Sequence, residues 1–425
     1  MTQSSLRAVV FNRRMLICVF TGFASGLPLY ILISLVPAWL RTEGVGLKEI
    51  GLFALVGLPY TWKFFWSPVL ERYPLPLLGR RRGWMLVTQL ALFASIASLP
   101  LLDTDRQLWS IAWLCTLIAF LSATQDIAID AYRRELLPDV ELGLGNALHV
   151  NAYRIAGLVP GSLALILADH LPWDTVFLVT AAFMSVAILL TLSIGEPKHP
   201  QPVPSSLRSA IVEPIAEFFQ RDGVPQALWV LSFMFLYKLG DNLATSLATP
   251  FYIDMGFELS EIGLVAKNAA LWPAIIGGLA GGLLMVKIGI NRALWIFGGV
   301  QLISILGFAL MARIGEGIWL LAMVISFEYL GVGLGAAAFI AFIARTTNRI
   351  HAATQFALLT ALTAIPRTIA NASTGFVVEQ IGWELFFYGC AVAAIPGMLL
   401  LTKVAPWHET QVEGPLDSRP EQMGN

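Results

Sequence analysis

Twelve times along its 425 residues this chain enters an apolar stretch of about twenty residues or more, and that recurrence leaves few folds open to it. A hydrocarbon layer about 30 Å thick is crossed by about 20 helical residues, and inside it each backbone N–H and C=O must be satisfied by protein. Helices meet that demand locally. Spans are predicted over 15–37, 50–70, 83–102, 108–132, 144–168, 173–194, 226–252, 260–286, 293–312, 317–344, 352–378 and 384–404. With 57% hydrophobic and 13% charged residues and a mean hydropathy of +0.72, the composition excludes an ordinary soluble domain. The first span follows Arg7, Arg13 and Arg14 but is long, contains Pro28 and lacks a small-residue cleavage site, so it reads as a retained helix.

Cations outside the spans set the orientation. With the N-terminus cytoplasmic, eighteen Lys and Arg fall inside and four (Arg41, Lys48, Arg106, Arg313) outside, as the positive-inside rule requires of an even number of spans. Both termini are then cytoplasmic. The stretch 196–225, with Pro197, Pro200, Pro202, Pro204 and Pro214, divides the chain into 1–195 and 226–404, with a tail over 405–425. The halves repeat. Glu49-Ile50-Gly51-Leu52 recurs as Glu261-Ile262-Gly263-Leu264, and Trp173 with Phe177 recurs as Trp383 with Phe387, at offsets of 212 and 210 residues. The expected fold is an all-α membrane protein of twelve transmembrane helices in two six-helix pseudo-repeats of like orientation, the arrangement of the major facilitator superfamily.

Charge within the spans is the functional signal. Asp126 and Asp130, one helical turn apart in an apolar run, each cost roughly 2.5–3.5 kcal/mol on insertion scales if they face lipid. They must therefore face protein or water. Lys63 and Arg154 in the first half, and Lys238, Asp241, Lys267, Glu328 and Arg367 in the second, raise the same demand, and together the nine predict an interior cavity. Five cations against four carboxylates suit an anionic solute. A proton taken up by Asp126, Asp130, Asp241 or Glu328 would free a neighbouring cation such as Lys63 or Arg154 for a substrate carboxylate, which is symport. The alternative, fixed ion pairs that set helix register, stands beside this reading for Asp126/Asp130 and for Lys238/Asp241. Glu71-Arg72 followed by Gly79-Arg80-Arg81-Arg82 has the acidic-then-basic pattern of a conformational loop between the second and third helices, although arginines there also serve topology alone. Trp66 is expected in an interfacial belt, and the glycines at 277–282 and 331–335 on helix-packing surfaces.

Cys18, Cys115 and Cys390 lie in apolar stretches without CxxC spacing, so no disulfide, metal or other cofactor is expected. No nucleophile-and-base arrangement, nucleotide loop or nucleic-acid signature is present; an enzyme and an ATP-driven pump are disfavoured. The expected partners are a small solute, protons and the bilayer, with the chain acting as a monomer.

Seven motifs resemble one family. Gly22-Phe23-Ala24-Ser25-Gly26-Leu27-Pro28, Lys63-Phe64-Phe65-Trp66-Ser67-Pro68, Gly79-Arg80-Arg81-Arg82-Gly83-Trp84, Gln125-Asp126-Ile127 with Asp130, Tyr153-Arg154, Tyr237-Lys238-Leu239-Gly240-Asp241 and Ala353-Thr354-Gln355-Phe356-Ala357-Leu358-Leu359 are similar to the AmpG-type muropeptide permeases. The resemblance runs from about residue 20 to 400 and thins over Leu29 to Pro37 and at Glu71. It implies a bacterial inner-membrane importer of N-acetylglucosaminyl-1,6-anhydro-N-acetylmuramyl peptides, driven by protons, that feeds peptidoglycan recycling and, in some species, β-lactamase induction. The candidate cargo-binding set is Lys63, Gln125, Tyr153, Arg154, Lys238, Lys267, Asn268, Gln355 and Arg367. Import of another large solute such as a siderophore is the alternative. A non-transporting sensor is a third reading, disfavoured because the linker and tail offer no output domain.

Overall fold

A computed structural model describes residues 12–73, 75, 78–196, 216–221, 223–315, 317–346, 359, 364 and 367–407. The first span is a continuous helical rod made of Arg13–Tyr30, a π turn at Ile31–Leu35 and Val36–Thr42. Asn12 caps it, accepting from the Met15 N–H at 2.9 Å and so satisfying one of the orphan donors of the first turn. Third, fourth and tenth spans are single helices, Arg82–Ser98, Leu108–Leu136 and Ile318–Thr346. The fifth runs Asp139–Ala156, a π turn at Val159–Leu163 and Ala164–Ala168; the sixth runs Trp173–Ala182 and Met184–Ser193. Gly289 (φ 78°) turns the chain between the eighth and ninth spans of Lys267–Ile314, and Gly382 (φ 76°) does so before the twelfth in Thr374–Val404, a backbone region that glycine enters without steric cost.

Nine stretches among the described residues are long and apolar enough to cross a membrane, against the twelve spans expected. The second span is broken into Leu47–Leu52, Leu58–Trp62 and Ser67–Arg72, with 3-10 turns at Phe53–Gly57 and Lys63–Phe65. Pro59 and Pro68 open its later pieces, where a missing N–H is harmless at a helix start and disruptive inside one. The seventh is Val224–Tyr237, Leu239–Ser246 and Ala248–Asp254, interrupted at Lys238 and Leu247. Most of the eleventh, and most of the linker expected over 196–225, lie outside the described residues.

Glycines let the helices approach. A Cβ on Gly22 or Gly26 would collide with the carbonyl of His149 or Tyr153, so the first span lies directly on the fifth. Gly277 and Gly333 bring the eighth and tenth spans together in the same way.

The halves join at one end of the bundle. There Arg41 Nε donates to Asp254 Oδ1 at 2.6 Å, Trp383 Nε1 to Asp254 Oδ2 at 3.0 Å, the Lys48 N–H to Glu379 Oε1 at 2.9 Å, and the Ser260 N–H to Asp169 Oδ2 at 2.5 Å. Gly375 packs against the Leu47 carbonyl with no room for a Cβ. One apolar core runs through this end from Leu35 and Trp39 of the first half to Phe251, Phe308 and Phe387 of the second. Toward the other end the second half has a core of its own, around Phe233, Phe297, Phe342 and Leu401. Among the described residues, ion pairs there stay within a half: Arg14 with Glu141, Arg81 with Glu135 and Arg221 with Glu217.

Candidate functional site

Asp126 and Asp130 fall one turn apart on the uninterrupted fourth helix, yet the fold gives them different surroundings. Asp126 is buried, accepts from Ser25 Oγ of the first span, and has Lys63 Nζ 3.9 Å from Oδ2. Asp130, its side chain 52% exposed, is paired with Arg133 of its own helix at 2.9 Å. Lys63 heads the 3-10 turn of the broken second span, and its separation from Asp126 leaves the ammonium only loosely engaged. Arg154 is half-buried and has no hydrogen-bond or ion-pair partner among the described residues; the neighbouring Tyr153 ring lies 5.9 Å from that of Tyr30.

Two expected cargo contacts make bonds within the protein. Gln125 is fully buried and its Nε2 donates to the Ala24 carbonyl at 2.8 Å, fastening the fourth span to the first, while its Oε1 is buried without a partner among the described residues. Asn268 donates to Leu264 O at 2.8 Å and accepts from Trp272 Nε1 at 3.2 Å, both on its own helix. Trp66 Nε1 donates to Thr124 Oγ1 at 3.1 Å, two residues before Asp126, and its ring packs on Phe120 of the same helix.

The second half carries a polar network. Lys238, at the break in the seventh span, pairs with Asp241 at 2.5 Å, and Gln301 Nε2 donates to the same Asp241 Oδ2 at 2.9 Å. Ser304 Oγ donates to Glu328 Oε2 at 2.5 Å, and Glu328 is fully buried. One oxygen of each carboxylate, Asp241 Oδ1 and Glu328 Oε1, is buried without a partner among the described residues. Such atoms carry a desolvation cost in the resting protein and are acceptors ready for a proton donor. Lys267 Nζ donates to Ser34 Oγ at 3.1 Å and Thr249 Oγ1 at 2.9 Å. Arg367 is exposed. Sequence reasoning missed Ser25, Gln301 and Ser304; the last two are the only amide and hydroxyl side chains in 293–312, a signal that was available.

The loop before the third span is anchored inside the first half. Arg81 is buried and binds Glu135 through Nε (3.1 Å) and Nη2 (2.8 Å), while the Arg81 and Arg82 N–H groups donate to Glu196 at 2.7 and 3.2 Å. Glu196, unforeseen from the sequence, thus caps the third helix at the end where a carboxylate is favoured. Gly79 turns at φ 102° beside that carboxylate, and Arg80 Nε is buried with no partner among the described residues. Arg345 Nη2 donates to Asn291 Oδ1 at 2.7 Å; 291 and 345 stand 210 residues beyond 81 and 135, so the second half repeats the contact with the arginine at the other position and a neutral amide as its acceptor. The side chains of Glu71 and Arg72, and all of Gln355, lie outside the described residues. Among the described residues no group of three His, Cys, Asp or Glu is placed to hold a metal ion.

The Major Facilitator Superfamily model matches residues 18–371. An anhydromuropeptide permease of Escherichia coli is 42% identical over 390 residues, covering 91% of this chain and 79% of that one. An uncharacterized protein of Haemophilus influenzae is 50% identical over 412 residues, covering 95% and 97%. Among solved structures, a D-xylose-proton symporter matches with a TM-score of 0.70 at 11% identity, covering 92% of this chain and 97% of that one. A nucleoside transporter matches at 0.69 and 12%, covering 92% and 100%.

Proposed function

We propose that this chain, which belongs to the major facilitator superfamily and within it to the anhydromuropeptide permease family, imports anhydromuropeptides across the bacterial inner membrane by proton symport. It works as a monomer with both termini in the cytoplasm, its halves 1–195 and 226–404 rocking about the cargo. The cargo, a disaccharide carrying a peptide with free carboxylates, matches the excess of intramembrane cations. The observation that carries the coupling is Asp126. A buried carboxylate held by Ser25 with Lys63 at 3.9 Å is a pair whose lysine is released when the acid is protonated. Lys63 and the unpartnered Arg154 then receive a cargo carboxylate, so proton and anion favour each other's binding. Asp130, tied to Arg133 near the end of the same helix, and the Asp241–Glu328 pair are the further places a proton can rest.

With the termini cytoplasmic, the joined end of the bundle is periplasmic, and the conformation is the one closed to the periplasm. Arg81 is engaged with Glu135 of its own half in this state, leaving the basic loop's bridge between the halves to the opposite state. Import of a siderophore is not favoured, since the Escherichia coli relative covering 91% of the chain is named an anhydromuropeptide permease.

The test is uptake of labelled anhydromuropeptide into proteoliposomes under an imposed pH gradient, for the wild type, Asp126→Asn and Asp130→Asn. At least one variant loses uphill accumulation. Undiminished accumulation in both sinks the coupling, and no uptake by the wild type sinks the cargo.

A further inference from the structure

Lys267 stands apart from the other intramembrane lysines. Lys63 has Asp126 and Lys238 has Asp241, whereas among the described residues Lys267 has only hydroxyl partners, Ser34 in the first half and Thr249 in the second. Both hydroxyl residues are buried. The lysine's alkyl chain lies against Gly161 of the fifth span, where an added Cβ would come within 3.3 Å of Cδ. A desolvated ammonium is expensive, and neutral hydroxyls compensate it far less than a carboxylate does.

The backbone around it is also unusual. Ser34 belongs to the π turn Ile31–Leu35, Gly161 to the π turn Val159–Leu163, and Lys267 follows directly on the π turn Ile262–Ala266. Three π turns, two from one half and one from the other, therefore meet at a single lysine side chain on the surface where the halves close. Isolated π turns are uncommon and concentrate at functional sites. An under-compensated cation across a closing seam has the character of a site whose counter-ion has left.

We propose that Lys267 binds a carboxylate of the cargo in the state open to the periplasm, and that Ser34, arriving beside Thr249, displaces that carboxylate as the halves close, driving release toward the cytoplasm. This rests on the anionic glycopeptide reading above. In the open state the first half has withdrawn, taking Ser34 with it, and the ammonium, left with Thr249 of its own half, is free for the anion. Closure returns Ser34 to Nζ. The carboxylate then loses its strongest partner as the path to the cytoplasm opens, and the cargo is held more weakly on the side where it must leave.

The experiment compares anhydromuropeptide with its peptide carboxylates free and the same cargo with them amidated, reading KM for uptake into proteoliposomes. Wild type is expected to show a KM at least about tenfold higher for the amidated cargo, the size of a charge-assisted hydrogen bond lost. In Lys267→Met that ratio falls toward one, and in Lys267→Arg most of it is retained. Ser34→Ala with Thr249→Val lowers kcat for the free-acid cargo at little cost in KM, because release is slowed. A wild type indifferent to amidation, a Lys267→Met variant that keeps the full ratio, or one that loses both cargoes equally each overturns the proposal. Absence of free-acid uptake by the wild type overturns the muropeptide reading and this inference with it. Normal wild-type uptake with an unchanged ratio in Lys267→Met overturns the inference alone.

Discussion

Replacing Gly375 with alanine tests whether the joined end of the bundle is a gate. A Cβ at Gly375 would lie 2.9 Å from Lys48 Cα and nearer still to the Leu47 carbonyl oxygen; reciprocally, a Cβ on Gly51 would lie 2.9 Å from the Gly375 nitrogen. Carbon atoms rest at about 3.5–4.0 Å, so the two halves must part here by roughly 1 Å. Overpacking of this kind costs about 1–3 kcal/mol. The clash exists only while the halves touch, so the cost falls on the closed conformation and not on folding of either half. A coupling of about 1–3 kcal/mol is a shift of roughly 5- to 150-fold between open and closed populations. Spin labels at Glu43 and Met255, which flank the Arg41–Asp254 pair on either side of the seam, report that shift as growth of a longer distance in detergent or nanodiscs. Gly389→Ala is the control, since no atom lies within 4 Å of its Cβ position and both variants share the same gain in helix propensity. An unchanged distance distribution in Gly375→Ala, or an equal change in the control, refutes the gate.

Three further outcomes rest on particular contacts of the fold. Arg41→Ala removes the charged pair with Asp254 and, at about 1.5–3 kcal/mol for hydrogen bonds between charged groups, shifts the same labels toward the open state, an effect that Gly375→Ala should not add to fully because both act on one seam. Arg81→Ala leaves Glu135 buried and unpaired, costing about 3–5 kcal/mol in unfolding experiments, whereas Arg81→Ala with Glu135→Ala costs less than the sum of the two single changes. Gly26→Val drives a side chain into the Tyr153 backbone; the first half loses at least about 1–3 kcal/mol, read as a lower thermal midpoint, and transport falls in proportion to folded protein.

Properties set by local composition were legible in the sequence. Helical, apolar spans depend on residues a few positions apart, and Asp126 was conspicuous because a charge in an apolar helix is costly wherever the helix goes. The helical breaks were half legible: Pro59 and Pro68 announce those of the second span, while nothing local explains why the seventh yields at Lys238.

Spacing of three residues announced the pairs Asp130–Arg133 and Lys238–Asp241, but tertiary structure alone decided which charges find partners on other helices. Ser25 stands 101 residues from Asp126 and Gln301 stands 60 from Asp241, and a lone hydroxyl or amide in an apolar run has no pattern that names its acceptor. The same holds for separating Asp126 from Asp130. Their spacing puts them on one helical face, but the first span packs over Asp126 and leaves Asp130 to Arg133. The repeat hid its own best contact, because Arg81 with Glu135 became Asn291 with Arg345 and only geometry relates the two. Which end of the bundle is closed, and therefore where Lys267 finds its hydroxyls, is a matter of how two halves of one sequence are set against each other. Local energetics fix each helix in the membrane; a conformation that must alternate rests on small differences between long-range contacts, which no stretch of sequence contains by itself.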